Sequence, residues 1–218
     1  FGAAGLLLSP AKCFLAKLEI DYLGYTISGQ GWKPKKSNVQ AVADFPTPRN
    51  KTMCRSFCGL AGFYSNIIPN LQLTLGPIHA VAGAKTSFRW GPEQDAAFME
   101  AKDMLVNHTV ISFPSNDPAH TLILTTDASN IGYGTSLSQI MSDGIERPLA
   151  FSSGRFRGAQ ENWITMEKEL YGFIKGLESY HIHLYLRQFI WRTDSKCLSF
   201  LTATSSTRRE PKRMNQKV

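Results

Sequence analysis

The chain has 218 residues, 43% of them hydrophobic and 19% charged, with a formal net charge of +7. That is room for one large or two small domains, and the composition is too apolar for a disordered polymer. No run of roughly 18 consecutive apolar residues, as a membrane span needs, is present. The apolar opening from Phe1 to Leu8 contains glycines and lacks a basic flank, so it reads as neither a signal peptide nor an anchor. A start at Phe1 instead of Met suggests a piece of a longer chain. The cysteines, Cys13, Cys54, Cys58 and Cys197, have no disulfide-framework spacing, which points to a reducing, intracellular compartment. Cys54 and Cys58 share a helix face, but no second ligand pair sits nearby to complete a zinc site, so they read as small buried residues.

Charge is unevenly spread. Residues 1–90 carry 10 basic and 3 acidic side chains, residues 91–204 carry 9 and 13, and residues 205–218 carry 5 and 1. A basic first part beside an acidic second part suits a protein that grips a polyanion with one region and gathers carboxylates in another.

Leu18 to Ile27 reads as a strand that turns at Gly29-Gln30-Gly31. Lys35 to Phe45 has apolar residues at helical spacing, and Asn50 can cap a second helix bearing Met53, Phe57, Leu60, Ala61 and Tyr64. A loop is expected around Gly83. Pro92 then sits where a first helical position should be, with the helix running to about Val106. From His120 the texture becomes β-rich: 121–126, 131–140 and 148–152 read as an antiparallel meander. A helix over 163–180 carries Met166, Leu170, Phe173, Ile174 and Leu177 as one apparent buried stripe. Phe189 to Trp191 is a further strand ending at Thr193-Asp194, and Ser195 can cap a short helix to Leu201. The expected fold is α/β, a small helical region followed by a mixed sheet with helices packed on it.

Asp127 follows the first strand of the meander, Asp194 ends the strand after the long helix, and Glu169 lies at the border of that helix's buried face. Converging at one sheet edge, they would make an all-oxygen nest for Mg²⁺ or Mn²⁺, as two-metal phosphodiester chemistry requires. Spacing alone favours two helix caps, at Asp127 and Asp194, and a solvated Glu169.

The run from Leu124 to Ser129 (Leu-Thr-Thr-Asp-Ala-Ser), with Gly132, Gly134 and Gln139 after it, resembles the opening of the RNase H domain of gypsy-type LTR retrotransposon Pol polyproteins. The motifs 148–153, Asn162-Trp163, 167–170 and Thr193-Asp194 continue the resemblance in order. Upstream, Lys12-Cys13, Tyr22 to Ser28, Phe45-Pro46, Cys58 to Tyr64 and Ile68 to Asn70 resemble the primer-grip end of a reverse transcriptase palm and its thumb. Phe88 to Trp90 and Ala97-Phe98 resemble the connecting segment. The resemblance implies a palm end at 1–33, a helical thumb at 34–83, a connection at 84–118, an RNase H-like domain at 119–204 and a flexible basic tail at 205–218. It makes Asp127, Glu169 and Asp194 the catalytic and metal-binding acids, with Glu167 solvated, acting on the RNA strand of an RNA–DNA hybrid.

It also implies departures. The family's fourth acid has no match, since Glu210 is the only acid after Asp194, and a final strand and helix are unmatched, which would leave a sheet edge unpaired. No polymerase aspartate pair is present, and Ser65 and Asn66 stand where the family often has arginine. Lys33, Lys35 and Lys36 beside Trp32, together with Lys51 and Arg55, are the expected nucleic-acid contacts. Expected partners are a hybrid or other nucleic acid and the rest of the polyprotein, with a dimer as a further option and no membrane. The rival expectation is a retroelement-derived module that binds nucleic acid or protein without catalysis.

Overall fold

The computed structural model describes Ser9 and residues 13–85, 87–107 and 110–195. The helix expected beyond Ser195 and the basic tail lie outside the described residues.

The single strand expected from Leu18 to Ile27 is a hairpin. β1 (Glu19–Tyr22) pairs antiparallel with β2 (Tyr25–Ser28), and Tyr22 faces Tyr25 across a two-residue turn. Leu23 (φ 46°) and Gly24 (φ 88°) are both left-handed, as a tight hairpin turn demands. Leucine gives no sequence signal for that conformation, so the turn was invisible. β3 (Gly31–Pro34) follows the Gly29-Gln30 turn and pairs with β2. Trp32 and Ile111 exchange main-chain hydrogen bonds of 2.9 and 3.0 Å, tying this sheet to the segment before the next one.

The helical region is larger than expected. α1 (Lys36–Ala43) and α2 (Lys51–Gly62) follow the apolar spacing, and Asn50 Oδ1 accepts from the Met53 amide over 2.9 Å as the helix cap. α3 (Leu71–Thr74) and α4 (Gly76–Gly83) were not foreseen, and Gly83, expected in a loop, closes α4. α5 (Pro92–Val106) starts at Pro92 and ends at Val106 as read from the sequence. These helices bury one cluster that includes Phe57, Tyr64, Leu71, Ile78, Phe98 and Leu105, with Cys54 and Cys58 inside it. Each large apolar side chain so buried contributes about 1.5–3 kcal/mol before the entropy cost of ordering it.

The second sheet has the order β6-β5-β4-β7. β4 (Thr121–Ala128), β5 (Gly132–Ile140) and β6 (Glu146–Arg155) form the antiparallel meander, and β7 (Phe189–Thr193) returns parallel to β4. That parallel return requires a crossover. It is made through α6 (Thr165–Ser179) and the short α7 (His181–Leu184), which holds both His181 and His183. The fold is therefore α/β with a mixed sheet, as expected. Among the described residues β7 has a strand partner on one side only. The opposite edge, β6, is covered: the Phe151 amide donates to the Asn66 carbonyl and the Ser112 amide to the Pro148 carbonyl, both at 2.9 Å.

The stripe expected to bury α6 does not do so as a whole. Met166, Leu170 and Ile174 are 41%, 39% and 44% exposed, while the buried positions are Lys168, Glu169, Gly172 and Gly176. Phe173 and Leu177 do pack on the sheet core beside Leu122, Leu124 and Leu137. Glycine lets the helix backbone approach the strands: a Cβ on Gly176 would sit 3.0 Å from Leu124 Cδ1. The face is set by closeness of approach, and two of its members have no side chain to register as hydrophobic.

Candidate metal centre

Strand register places the first two acids. β4 and β7 run parallel with Thr126 opposite Thr193, so Asp127 and Asp194, each the next residue, emerge side by side at the same end of neighbouring strands. Trp191 fixes this pairing from below. Its indole Nε1 donates to Thr126 Oγ1 over 2.9 Å, and its ring stacks on Phe173 of α6 with centroids 3.9 Å apart. The third acid comes from α6, held against β4 by its glycines; a Cβ on Gly172 would lie 3.8 Å from the Asp127 carbonyl oxygen. One turn earlier, Glu169 reaches the same strand end and accepts from the Ala128 amide over 3.3 Å.

Asp127, Glu169 and Asp194 each present a carboxylate oxygen within 4.8 Å of the others. They are the acids singled out in the sequence, and they come together. Asp127 and Asp194 are exposed while Glu169 is 3% exposed, deeper than the helix-border position expected for it. Glu169 Oε2 is buried without a hydrogen-bond partner, and no ion pair to the three acids exists among the described residues. Burial and then the Asp194 charge push the Glu169 carboxyl up to about 7, with Asp127 adding to the rise and the Ala128 amide opposing it. A buried carboxylate with an orphan oxygen, facing two more carboxylates and no cation, has the donor set of a hard divalent-metal site. Among the described residues this is the one cluster of three or more metal-ligating side chains.

Glu167 points away, exposed, and its Oε2 accepts from the Ile164 amide over 3.1 Å at the start of α6. Lys168, the other buried charge of α6, does not neutralise the acids: its Nζ lies 3.4 Å from the Asn130 carbonyl and over the Phe156 ring. Sequence reasoning did not find Thr126 and Trp191 as the pair that locks the strand register. A threonine and a tryptophan in β-rich runs read only as strand formers.

The expected nucleic-acid contacts lie elsewhere and are mostly engaged within the chain. Lys33 pairs with Glu19 at 3.8 Å and Lys35 with Asp21 at 3.2 Å, both on the surface. Lys51 Nζ donates to the Ala84 carbonyl (2.7 Å) and Arg55 Nη2 to the Ala82 carbonyl (3.0 Å), at the end of α4. Lys36 is exposed at the start of α1. No described helix is long and apolar enough to cross a membrane.

Known proteins share this fold. Residues 90–191 match the RNase H-like domain found in reverse transcriptase. The Tf2-3 and Tf2-4 transposon polyproteins of Schizosaccharomyces pombe are each 28% identical over 181 residues, covering 83% of this chain and 13% of the polyprotein. The chain thus spans a small part of those relatives. Among solved structures, a foamy viral protease-reverse transcriptase in complex with RNA/DNA hybrid superposes with a TM-score of 0.74 at 19% identity, over 92% of this chain and 27% of that one. The same enzyme in complex with dsDNA gives 0.69 at 20% identity, over 91% and 40%. Over residues 90–191 the chain is thus similar to the RNase H-like domain found in reverse transcriptase, and over most of its length it is similar to retrotransposon polyproteins.

Proposed function

We propose that this chain is the RNase H segment of a retrotransposon reverse transcriptase, hydrolysing the RNA strand of RNA–DNA hybrids, with Asp127, Glu169 and Asp194 as ligands of Mg²⁺ or Mn²⁺. The observation that carries the reading is the convergence of three carboxylates, one of them buried with an unpartnered oxygen, at a single strand end. Bound divalent ions would supply an activated water and charge stabilisation for the leaving oxygen. The chain's own residues hold and orient. Glu169 anchors the floor of the site through the Ala128 amide, and exposed Asp127 and Asp194 face the solvent from which a strand arrives. No side chain need act as nucleophile.

The hybrid as substrate is supported by the foamy viral neighbour, whose structure contains one. Lys33, Lys35, Lys36, Lys51 and Arg55 are proposed to contact the phosphate backbone. For Lys33 and Lys35 this means exchanging an exposed, weakly stabilising ion pair for a phosphate. The division at 33, 83, 118 and 204 into palm end, thumb, connection, RNase H-like domain and tail belongs to the same proposal, as does the remainder of the polyprotein as a partner. The test is single-turnover cleavage of a labelled hybrid by the wild-type chain and its Asp127→Asn variant. Cleavage that requires Mg²⁺ or Mn²⁺ and is lost with Asp127→Asn is expected. Absence of cleavage with either ion, or cleavage that Asp127→Asn does not touch, would overturn the reading.

A further inference from the structure

A second cleft, of about 500 Å³, lies where α4, the end of β6 and α6 meet. That is within the size range of small-ligand sites. It is separate from the carboxylates but close: its Tyr133 pairs directly with Ala128 across β5 and β4. Three cations line it, Arg155 at the end of β6, Arg157 two residues beyond it and Lys175 from α6, together with His79 of α4. Only Lys175 is paired, with Glu178 at 2.6 Å. Neither Arg155 nor Arg157 has a carboxylate partner among the described residues.

Two neutral groups on the wall are also short of partners. Ser153 Oγ is buried and makes no hydrogen bond. Gln160 uses its carbonyl oxygen to accept from the Arg157 amide over 3.1 Å, and its amide NH₂ makes no hydrogen bond among the described residues. The position of Arg155 is built into the backbone. Its guanidinium lies directly on Gly76, where a Cβ would collide with it. Partial burial and the Arg157 charge hold His79 below its ordinary range, so it adds a donor without adding a fourth full charge.

Unpaired guanidinium groups with spare hydroxyl and amide donors in a concave wall make an acceptor-rich anion the complementary ligand. We propose that this cleft binds the phosphate backbone of nucleic acid through Arg155 and Arg157, holding the duplex at a second point away from the carboxylates. This rests on the proposed nucleic-acid function and adds a site that the motif reading did not contain.

The test uses the whole chain, a fluorescein-labelled RNA–DNA hybrid and anisotropy across a salt series in EDTA. Replacing both arginines (Arg155→Gln with Arg157→Gln) should weaken binding about tenfold near 0.1 M salt and lower the log–log salt slope by about 1.5–2, since each phosphate contact contributes nearly one unit. Exchange of both for lysine should keep most of the slope. Arg157→Glu, at an exposed position, should weaken binding without lowering the melting temperature, which guards against a loss caused by misfolding.

Unchanged affinity and slope in these variants would overturn the cleft assignment while leaving hybrid cleavage, read separately with Asp127→Asn, intact. Absence of salt-dependent binding by the wild-type chain would overturn both. Inorganic phosphate separates the sources: if it binds wild type at a few millimolar and not the double variant, while hybrid affinity is the same in both, the cleft is a site for free phosphate and the backbone assignment fails.

Discussion

The Ala128 amide donates to Glu169 Oε1, and Oε2 of the same carboxylate is left buried with no partner. The folded chain keeps the Glu169 proton to about pH 7, well above the ordinary 4.5. The unfolded chain releases it earlier, so the folded state binds more protons across that window. The contribution of Glu169 to stability is therefore fully present below about 4.5 and is lost as pH rises through 7. The decline is at most about 3.4 kcal/mol, at 1.36 kcal/mol per pH unit between 4.5 and about 7, and water reaching the site lowers it. Urea denaturation in EDTA should show Glu169→Gln gaining stability over wild type at pH 8 and little at pH 5. Mg²⁺ should raise wild type at pH 8 and leave Glu169→Gln less affected.

Glycines at the two faces of the sheet predict opposite outcomes. A Cβ on Gly172 would stand 3.5 Å from Tyr133 Cβ, an ordinary contact, in the middle of α6. Gly172→Ala should stabilise by about 0.5–1 kcal/mol through helix propensity and a less mobile unfolded chain. At Gly132 a Cβ would collide with Leu73 Cδ2 of α3 and with the Gly154 carbonyl on the neighbouring strand. The leucine can turn aside but the carbonyl cannot, so Gly132→Ala should cost about 2 kcal/mol or more. Thermal melts of the two variants should move in opposite directions.

Much of this was legible in the sequence because local chemistry and tertiary fold agree. Asn50 caps α2, Pro92 opens α5, and the alternation of the meander marks β4, β5 and β6. The three acids were legible as a constellation, although Thr126 opposite Thr193, which brings two of them together, is a long-range pairing that no local pattern encodes. The failures have physical causes. The β1–β2 turn uses a left-handed leucine, and α6 packs through glycines and a glutamate, so its hydrophobic periodicity points to a face that is partly in water. Met166, Leu170 and Ile174 repeat at helical spacing on that face, and spacing cannot distinguish it from the one that touches the sheet.

Thr126 and Trp191 couple stability to the site. Both are buried, and Thr126→Val keeps the shape while removing the acceptor of the indole N–H. An orphaned buried donor costs about 1–3 kcal/mol. Because Trp191 lies three residues before Asp194 and fixes β7 on β4, the same change should also loosen the second aspartate. Mn²⁺ affinity, followed by its effect on water proton relaxation, should fall in Thr126→Val. It should be unchanged in Asn50→Ala, a cap removal on α2 that should cost a comparable ~1 kcal/mol far from the acids.

The basic residues of the helical region separate by what they already hold. Arg55 and Lys51 donate to the Ala82 and Ala84 carbonyls, which close α4 at its negative end. Lys36 makes no hydrogen bond or ion pair among the described residues. Arg55→Gln should therefore lower the melting temperature, because a charge-assisted bond to a partly buried carbonyl is worth about 1–2 kcal/mol. Lys36→Gln should leave stability alone and, if Lys36 meets phosphate, reduce the salt slope of hybrid binding by just under one unit. Measuring both quantities on both variants distinguishes the roles. A salt slope that falls for Arg55→Gln with no change in melting temperature would show that its guanidinium leaves the α4 carbonyl for the nucleic acid at no cost to the fold, and the bond to Ala82 would then contribute nothing to holding α2 against α4.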